Sequence, residues 1–168
     1  MKTNKHIEYI LKISYRRIWA ISKLSRAGIS PKDIIHFFNV KIRSVLETSC
    51  PVFHSMITKE QSDDIERIQK ILLRILLKDR YTSYEGACKF FDILTLEQRR
   101  KQLCLKFALR ILQNEKFKDF FTLNTNTNNI RKQEKFYVPF ARTSRYKNSP
   151  KVYLTRLLNE HFKNRDTT

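Results

Sequence analysis

Cys50 and His54 lie four residues apart in the stretch CPVFHSMITKEQ, and their types could do chemistry. A thiol beside an imidazole can serve as a nucleophile with its base, or as half of a zinc site. A nucleophile usually needs an orienting group and an oxyanion hole as well, and the chain has only two glycines with which to build one. Zinc would need two more ligands, but the remaining cysteines and histidines show no CxxC or HxxxH spacing.

The alternative is a structural corner between two helices, in which a buried thiol precedes a proline break and an imidazole. We favour this interpretation over the metal site and the nucleophile, and we expect no catalytic residue, no metal and no cofactor. The corner comprises Cys50, Pro51, Phe53 and His54.

Asp63 and Asp64 are adjacent aspartates of the kind that bind metal ions in polymerases, where the pair lies on a β-hairpin. Here the pair falls near the start of a predicted helix, which the capping-box spacing from Thr58 to Gln61 opens. Acidic side chains at that place complement the positive end of the helix dipole. We therefore interpret both aspartates as structural.

Positive charge is the strongest signal in the composition. The chain has 34 lysines and arginines against 16 acidic residues, which gives a formal net charge of +18. A polyanion, an acidic membrane surface or an acidic assembly partner would each explain such an excess, and we favour nucleic acid. The residues expected to contact it are Arg16, Arg17, Lys41, Arg43, Arg67, Lys70, Arg74, Lys78, Arg99, Arg100, Lys106, Arg142, Arg145, Tyr146 and Lys147.

Apolar residues recur at helical spacing, so we predict an all-α fold, a multi-helix bundle with a flexible basic C-terminal tail. The predicted domains are a helical domain over residues 1–121, a polar linker over 122–135, and a basic and aromatic tail with a short helix over 136–168. Helix starts are expected at about His6, at Ser30-Pro31, at the capping boxes beginning with Thr58 and Thr95, at Thr82, and at Ser149-Pro150.

The cysteine count and the hydropathy bear on the compartment. Three irregularly spaced cysteines, without a signal peptide, favour reduced thiols and an intracellular protein, and we expect a nuclear one. No stretch approaches about 18 uncharged apolar residues, so we expect no membrane partner. The oligomeric state is left open.

Four segments resemble a known family in order along the chain. They are HIEYILKISYRRIWAISKLSRAGIS, IRSVLETSCPVFHSMITKEQSDDIERIQK, TSYEGACKFFDILTLEQRRKQLCLKFA and RTSRYKNSPKVYLTRLLN. Together they resemble the region just after the palm in reverse transcriptases of non-LTR retrotransposons. The most specific part runs from Leu46-Glu47 to Gln61 and is similar to that family's Leu-Glu-x-x-x-Pro-Val-aromatic-His followed by Thr-Lys-Glu-Gln.

The resemblance implies a thumb and adjoining helices, which hold a template–primer duplex by its backbone. The fingers and palm, with the aspartate pair that binds the catalytic metals, are absent from the sequence, and Ile71-Leu72 stands where relatives tend to carry Arg-Ala. We therefore expect a non-catalytic fragment that binds RNA or an RNA–DNA duplex and, where present, the parent polymerase's fingers and palm. The alternative is a host-adopted helical protein that binds an acidic protein partner; an independent enzyme using Cys50 and His54 is a third.

Overall fold

The computed structural model describes residues 2–124 and 134–165, and over these residues the chain is all-α, which confirms the predicted fold class. A π-helical turn (Asn39–Arg43) and two 3-10 segments (Lys78–Arg80 and Glu115–Phe120) separate some of the helices. The α-helices are α1 (Lys2–Arg26), α2 (Pro31–Phe38), α3 (Ser44–Glu47), α4 (Cys50–Phe53), α5 (Lys59–Leu77), α6 (Tyr84–Phe90), α7 (Leu96–Gln113), α8 (Ser144–Lys147) and α9 (Pro150–Arg165).

The described residues form two compact units. Unit 1 contains residues 1–50 and 57–100, and unit 2 contains residues 51–56 and 101–168, so the boundary falls within α7. These limits differ from the boundaries at 121 and 135 that the sequence suggested, and those boundaries stay a prediction about independent folding. Most of the predicted linker, residues 125–133, lies outside the described residues.

Two capping boxes start the longest helices of unit 1 after α1. At α5, the Thr58 hydroxyl accepts from the Gln61 amide at 3.2 Å, and the Gln61 side chain accepts from the Thr58 amide at 3.1 Å. Thr95 and Gln98 form the same reciprocal pair at α7, with both bonds at 3.2 Å. Each box satisfies two amides at the helix start, and the spacing had predicted both helix starts.

The start of α6 differs from the prediction by one residue. Ser83, and not Thr82, is the N-cap, since its hydroxyl accepts from the Gly86 amide at 3.1 Å. Serine and threonine compete for this role when they are neighbours, and the backbone of Ser83 is the extended one that a cap requires.

The segment from α2 to α4 departs further from expectation, since the spacing predicts a single helix from Ser30-Pro31 that Pro51 kinks or ends. The helix instead ends at Glu47, and Ser49 has a φ of 59°, which turns the chain. Pro51 then occupies the first turn of α4, where a missing amide hydrogen costs nothing.

The π-helical turn between α2 and α3 keeps a row of core side chains on one side. The row consists of residues four apart: Ile34, Phe38, Ile42 and Leu46, all buried. In an α-helix, steps of four residues drift by about 40° each, because 3.6 residues complete a turn. The wider π turn offsets part of that drift, so all four side chains reach the core.

The core of unit 1 is built mainly by α1 and α5. The buried apolar side chains of α1 are Ile7, Ile10, Ile18 and Ile21, and those of α5 include Ile65, Ile68, Leu72 and Leu73. Burying each such side chain contributes about 1.5–3 kcal/mol to folding, which makes this helix pair the main anchor of the unit.

Helix α7 buries only part of the face that its spacing predicts, which comprises Leu96, Leu103, Phe107 and Ile111. Leu96 is buried as expected, but Phe107 is 41% exposed. The buried positions follow steps of four instead, through Arg100, Cys104 and Ala108. Ile111 is buried as expected as well, so the prediction was right at both ends of this face and wrong at Phe107 and Arg100.

Unit 2 contains the last helix, α9, which is 16 residues long where a short helix was predicted. Asn159 on α9 holds an extended segment beside it: its side-chain oxygen accepts from the Phe136 amide and its nitrogen donates to the Phe136 carbonyl, both at 2.9 Å. The buried apolar side chains of α9 are Val152, Leu154, Leu157 and Leu158.

Candidate nucleic-acid interface

The corner residues lie in packed surroundings. In unit 1, Cys50 is fully buried and its thiol donates to the Arg100 carbonyl at 3.7 Å. In unit 2, Phe53 is 2% exposed and the His54 ring meets the Tyr153 ring edge-on, with centroids 5.3 Å apart. Over residues 2–124 and 134–165, no three His, Cys, Asp or Glu side chains are grouped so that they could hold a metal ion.

One row of cations follows the outer side of α5, and we call it the α5 stripe: Arg67, Lys70, Arg74 and Lys78. Arg67, Arg74 and Lys78 are exposed, and Lys70 is half-buried. Lys78 lies just beyond the end of α5, where its φ of 49° turns the chain, so the helical part of the stripe runs from Arg67 to Arg74 and covers about 10 Å at 1.5 Å per residue. That length can face several phosphates of a duplex, since duplex DNA carries one negative charge per about 1.7 Å of axis.

Two tyrosine rings lie against the middle of the α5 stripe. The Lys70 ammonium is 5.2 Å from the centroid of the Tyr84 ring, and the Arg74 guanidinium carbon is 5.3 Å from that of Tyr81. A cation over an aromatic face is attracted to it without losing its charge. The rings therefore restrain both side chains while the side chains stay available to an anion.

Little acidic charge offsets the α5 stripe. Arg67 pairs with Asp64 at 3.2 Å, and its side chain is 62% exposed, so the pair is screened by water. In the described ranges, no carboxylate lies within ion-pair distance of Lys70, Arg74 or Lys78. Three cations of the stripe are therefore not neutralised within the fold.

Arg100 does not belong to any exposed basic surface, which corrects its place among the expected contacts. Its side chain is 1% exposed, and it donates to the Ser62 hydroxyl at 2.7 Å. Its other terminal nitrogen lies 3.7 Å from a carboxylate oxygen of Glu66. A phosphate cannot reach this guanidinium while the fold is intact.

Glu66 is the centre of a buried polar network that we call the inner network: Ser62, Glu66, Gln69, Tyr84, Cys88 and Arg100. The Glu66 carboxylate accepts from the Tyr84 hydroxyl and from the first two amides of α7, those of Leu96 and Glu97. A carboxylate at a helix start satisfies amides that lack partners within the helix and complements the dipole. Glu66 on α5 thus caps α7.

Burial and the Glu66 carboxylate change the acidity of the neighbouring groups. Burial and then the hydrogen bond to Glu66 raise the pKa of the Tyr84 hydroxyl well above its ordinary value. Burial also raises the pKa of the Cys88 thiol, although the Gln69 amide donates to its sulfur at 3.6 Å and lowers it somewhat. Both groups therefore stay protonated near neutral pH, which lets the Tyr84 hydroxyl donate to Glu66.

Sequence reasoning assigned no role to Glu66 and Gln69, although a signal was present. Both lie in phase with the buried positions Ile65, Ile68 and Leu72 of α5. On α7, Arg100 lies in phase with buried positions in the same way. Opposite charges on the apolar faces of two amphipathic helices indicate a buried pair.

Arg43 and Arg99 share a single carboxylate. The Glu47 side chain lies 2.9 Å from the Arg99 guanidinium and 3.4 Å from that of Arg43, and all three side chains are partly exposed. Burial, more than the nearby Arg99 charge, lowers the pKa of Arg43. One carboxylate for two guanidiniums leaves one positive charge in excess at this place.

The other residues of unit 1 that were expected to contact nucleic acid are Arg16, Arg17 and Lys41. Arg17 donates to the Lys41 carbonyl and so ties α1 to the π-helical turn, which gives it a structural use. The side chains of Arg16 and Lys41 are exposed. They are therefore accessible to a phosphate, whereas the Arg17 guanidinium already donates a hydrogen bond within the fold.

Unit 2 has its own exposed basic residues. Lys106 lies on the part of α7 that belongs to this unit. Thr143 caps α8 by accepting from the Tyr146 amide at 3.2 Å, and Tyr146 is 43% exposed. The remaining exposed basic residues of this group are Arg142, Arg145 and Lys147.

No protein-family model, curated protein or solved structure matches this chain. Of the helices in the described ranges, none combines the length and the apolar character needed to cross a membrane.

Proposed function

We propose that this chain binds the phosphate backbone of duplex or structured RNA, including RNA–DNA hybrid, and carries out no chemistry of its own. The observation that supports it most is the α5 stripe, in which Lys70 and Arg74 lie over tyrosine rings and have no acidic partner among the described residues. A binding site for a polyanion needs cations that are fixed in place and not neutralised, and this row meets both needs.

The resemblance to the thumb of non-LTR retrotransposon reverse transcriptases supports the same proposal from the sequence. In that interpretation the chain holds a template–primer duplex, and its other partner is the parent polymerase's fingers and palm. A nuclear location is part of the proposal. The rest of the net charge of +18 would add a long-range attraction to any nucleic acid.

The test is a salt titration of binding to a blunt RNA duplex of random sequence. Neutralising about four to six phosphates gives a slope of log affinity against log salt of about −3 to −5. Replacing Lys70→Gln and Arg74→Gln together should flatten the slope by up to about 1.4–1.8, since each lost contact removes about 0.7–0.9. Changing the duplex sequence should have little effect, because phosphates carry no sequence information.

The matched control removes the same charge elsewhere in unit 1. Lys32→Gln with Lys89→Gln changes two exposed lysines on other helices. If both double variants weaken binding equally, only the total charge matters and the α5 stripe is not the site. Equal binding of polyglutamate would favour the acidic protein partner, and template-dependent synthesis by the chain would contradict the absence of chemistry.

A further inference from the structure

The outer side of α1 carries a second row of cations, and this row includes aromatic rings. We call it the α1 ladder: Lys5, Tyr9, Lys12, Arg16, Trp19, Lys23 and Arg26. Its members alternate in steps of four and three, which keeps them on one side of a helix. All seven are exposed, and the side of α1 opposite to them carries the buried Ile7, Ile10, Ile18 and Ile21.

The aromatic members are unusually open to solvent. Trp19, the only tryptophan of the chain, is 65% exposed, and Tyr9 is 62% exposed. Tryptophan is among the residues that folding normally buries to a large extent. In the α1 ladder each ring stands between cations along the helix, and the Lys23 ammonium lies 5.2 Å from the Trp19 ring centroid.

We propose that the α1 ladder binds an unpaired strand of RNA, with phosphates on its cations and bases stacked on Trp19 and Tyr9. The inference rests on the proposed function for the choice of RNA as ligand, and it assigns single strands to a surface other than the α5 stripe. An exposed ring between cations is the arrangement with which proteins hold single strands. Paired bases inside a duplex do not offer their faces to such a ring, so the ladder suits unpaired ones.

Other occupants fit the α1 ladder less well. A helix that lies on a membrane inserts its apolar side, but the apolar side of α1 is committed to the core of unit 1. A second copy of the chain would bring five like charges against five, which opposes association. The ladder spans 21 residue steps, or about 31 Å, which is enough for several nucleotides of an extended strand.

The sole tryptophan makes the test direct, because Trp19 fluorescence comes from the proposed site itself. The probe is an oligouridine of about 16 nucleotides, the upper end of known single-strand site sizes, which does not pair with itself. We expect it to quench Trp19 fluorescence on binding. Trp19→Ala should weaken oligouridine binding about 5- to 150-fold, measured by anisotropy of labelled RNA, in line with stacking losses per base.

Two further variants separate stacking from charge. Trp19→Phe keeps a flat ring and should retain most of the affinity. Tyr15→Ala removes a ring of α1 that is 38% exposed and lies outside the ladder, and it should have little effect. Helical content by circular dichroism, which should be the same in every variant, excludes unfolding as the cause.

The inference is overturned if oligouridine leaves Trp19 fluorescence unchanged, or if Trp19→Ala binds as well as the parent chain. Equal quenching by polyglutamate, or by vesicles that contain phosphatidylserine, would also overturn it, in favour of general anion binding or a membrane surface. Binding of a blunt RNA duplex by the same preparation is measured in parallel. If the duplex binds and oligouridine does not, this inference fails and the proposed function stands; if neither binds, both fail.

Discussion

The two sides of α5 use charge in opposite ways. On the inner side, Glu66 is buried, and its carboxylate accepts from two amides and a hydroxyl. On the outer side, Lys70 and Arg74 lie over aromatic rings with no acidic partner among the described residues. A buried charge is tolerated only when its partners are fixed, whereas an exposed cation keeps its hydration and can exchange it for a phosphate. The inner network therefore serves folding, and the α5 stripe is suited to binding.

Tyr84 belongs to both sides. Its hydroxyl donates to Glu66 in the inner network, and its ring lies under the Lys70 ammonium of the α5 stripe. We therefore expect changes at Glu66 to lower mainly the stability of the fold and changes at Lys70 to lower mainly the affinity for RNA. At Tyr84 the effect should depend on which of its two contacts is removed.

The largest effect is expected when Glu66→Ala breaks the inner network. The change leaves the Arg100 guanidinium buried without its carboxylate and removes the acceptor for the amides of Leu96 and Glu97. We expect the free energy of unfolding to fall by about 3–5 kcal/mol, the range for breaking a buried pair from one side. Urea unfolding followed by circular dichroism measures it.

Two further variants serve as controls for the loss of stability in Glu66→Ala. Glu66→Gln keeps one acceptor oxygen and should cost less than Glu66→Ala. The outer pair Lys70→Gln with Arg74→Gln should change stability by no more than about 0.5 kcal/mol, as surface substitutions usually do. If the outer pair were as destabilising as Glu66→Ala, the division between the two sides of α5 would not hold.

A smaller effect is expected at Tyr84, where two substitutions separate its two contacts. Tyr84→Phe loses the hydrogen bond to Glu66 and should cost about 1–2 kcal/mol of stability, while RNA duplex affinity stays the same. Tyr84→Leu also loses the ring under Lys70, and duplex affinity should fall about two- to fivefold, as expected for a cation–π contact at an exposed site. Equal duplex affinities of the two variants would show that the ring does not position Lys70.

The smallest effect is a dependence of stability on alkaline pH. Because the pKa of Tyr84 is raised in the fold, both states hold the proton below the ordinary value of 10.0, and the hydrogen bond contributes fully. At higher pH the unfolded chain ionises first and is favoured, so the contribution of Tyr84 is lost as pH rises. The stability difference between the parent chain and Tyr84→Phe should therefore narrow above about pH 10. A constant difference in urea unfolding across that range would contradict it.

Features that depend on neighbouring residues could be predicted from the sequence. The reciprocal hydrogen bonds of Thr58 with Gln61 and of Thr95 with Gln98 join residues three positions apart. A threonine followed three positions later by a glutamine therefore predicted both helix starts. The basic row on α5 likewise follows from helical spacing alone. The exposed state of its side chains, and the rings beneath Lys70 and Arg74, depend on where α6 and the residues just before it pack.

The predictions that were wrong concern features that depend on contacts between segments distant in sequence. Arg100 was expected to contact nucleic acid because it lies in the basic run Arg99-Arg100-Lys101, and its actual partner Glu66 lies 34 positions earlier on another helix. The break at Ser49 depends on a positive φ at a residue that is not glycine, which no local pattern indicated. Burial of charge and unusual backbone angles become favourable only when the surrounding fold compensates for them.

The π-helical turn at Asn39–Arg43 fixes the length of the chain between two parts of the core. Ile34 and Phe38 face inward before the turn, Ile42 does so within it, and Leu46 does so after it. Deleting a single residue within the turn would rotate every later side chain of the segment by about 100° relative to the earlier ones. Side-chain identity can vary at an exposed position such as Val40, which is 49% exposed, but the number of residues there cannot change without moving Leu46 out of register with the core.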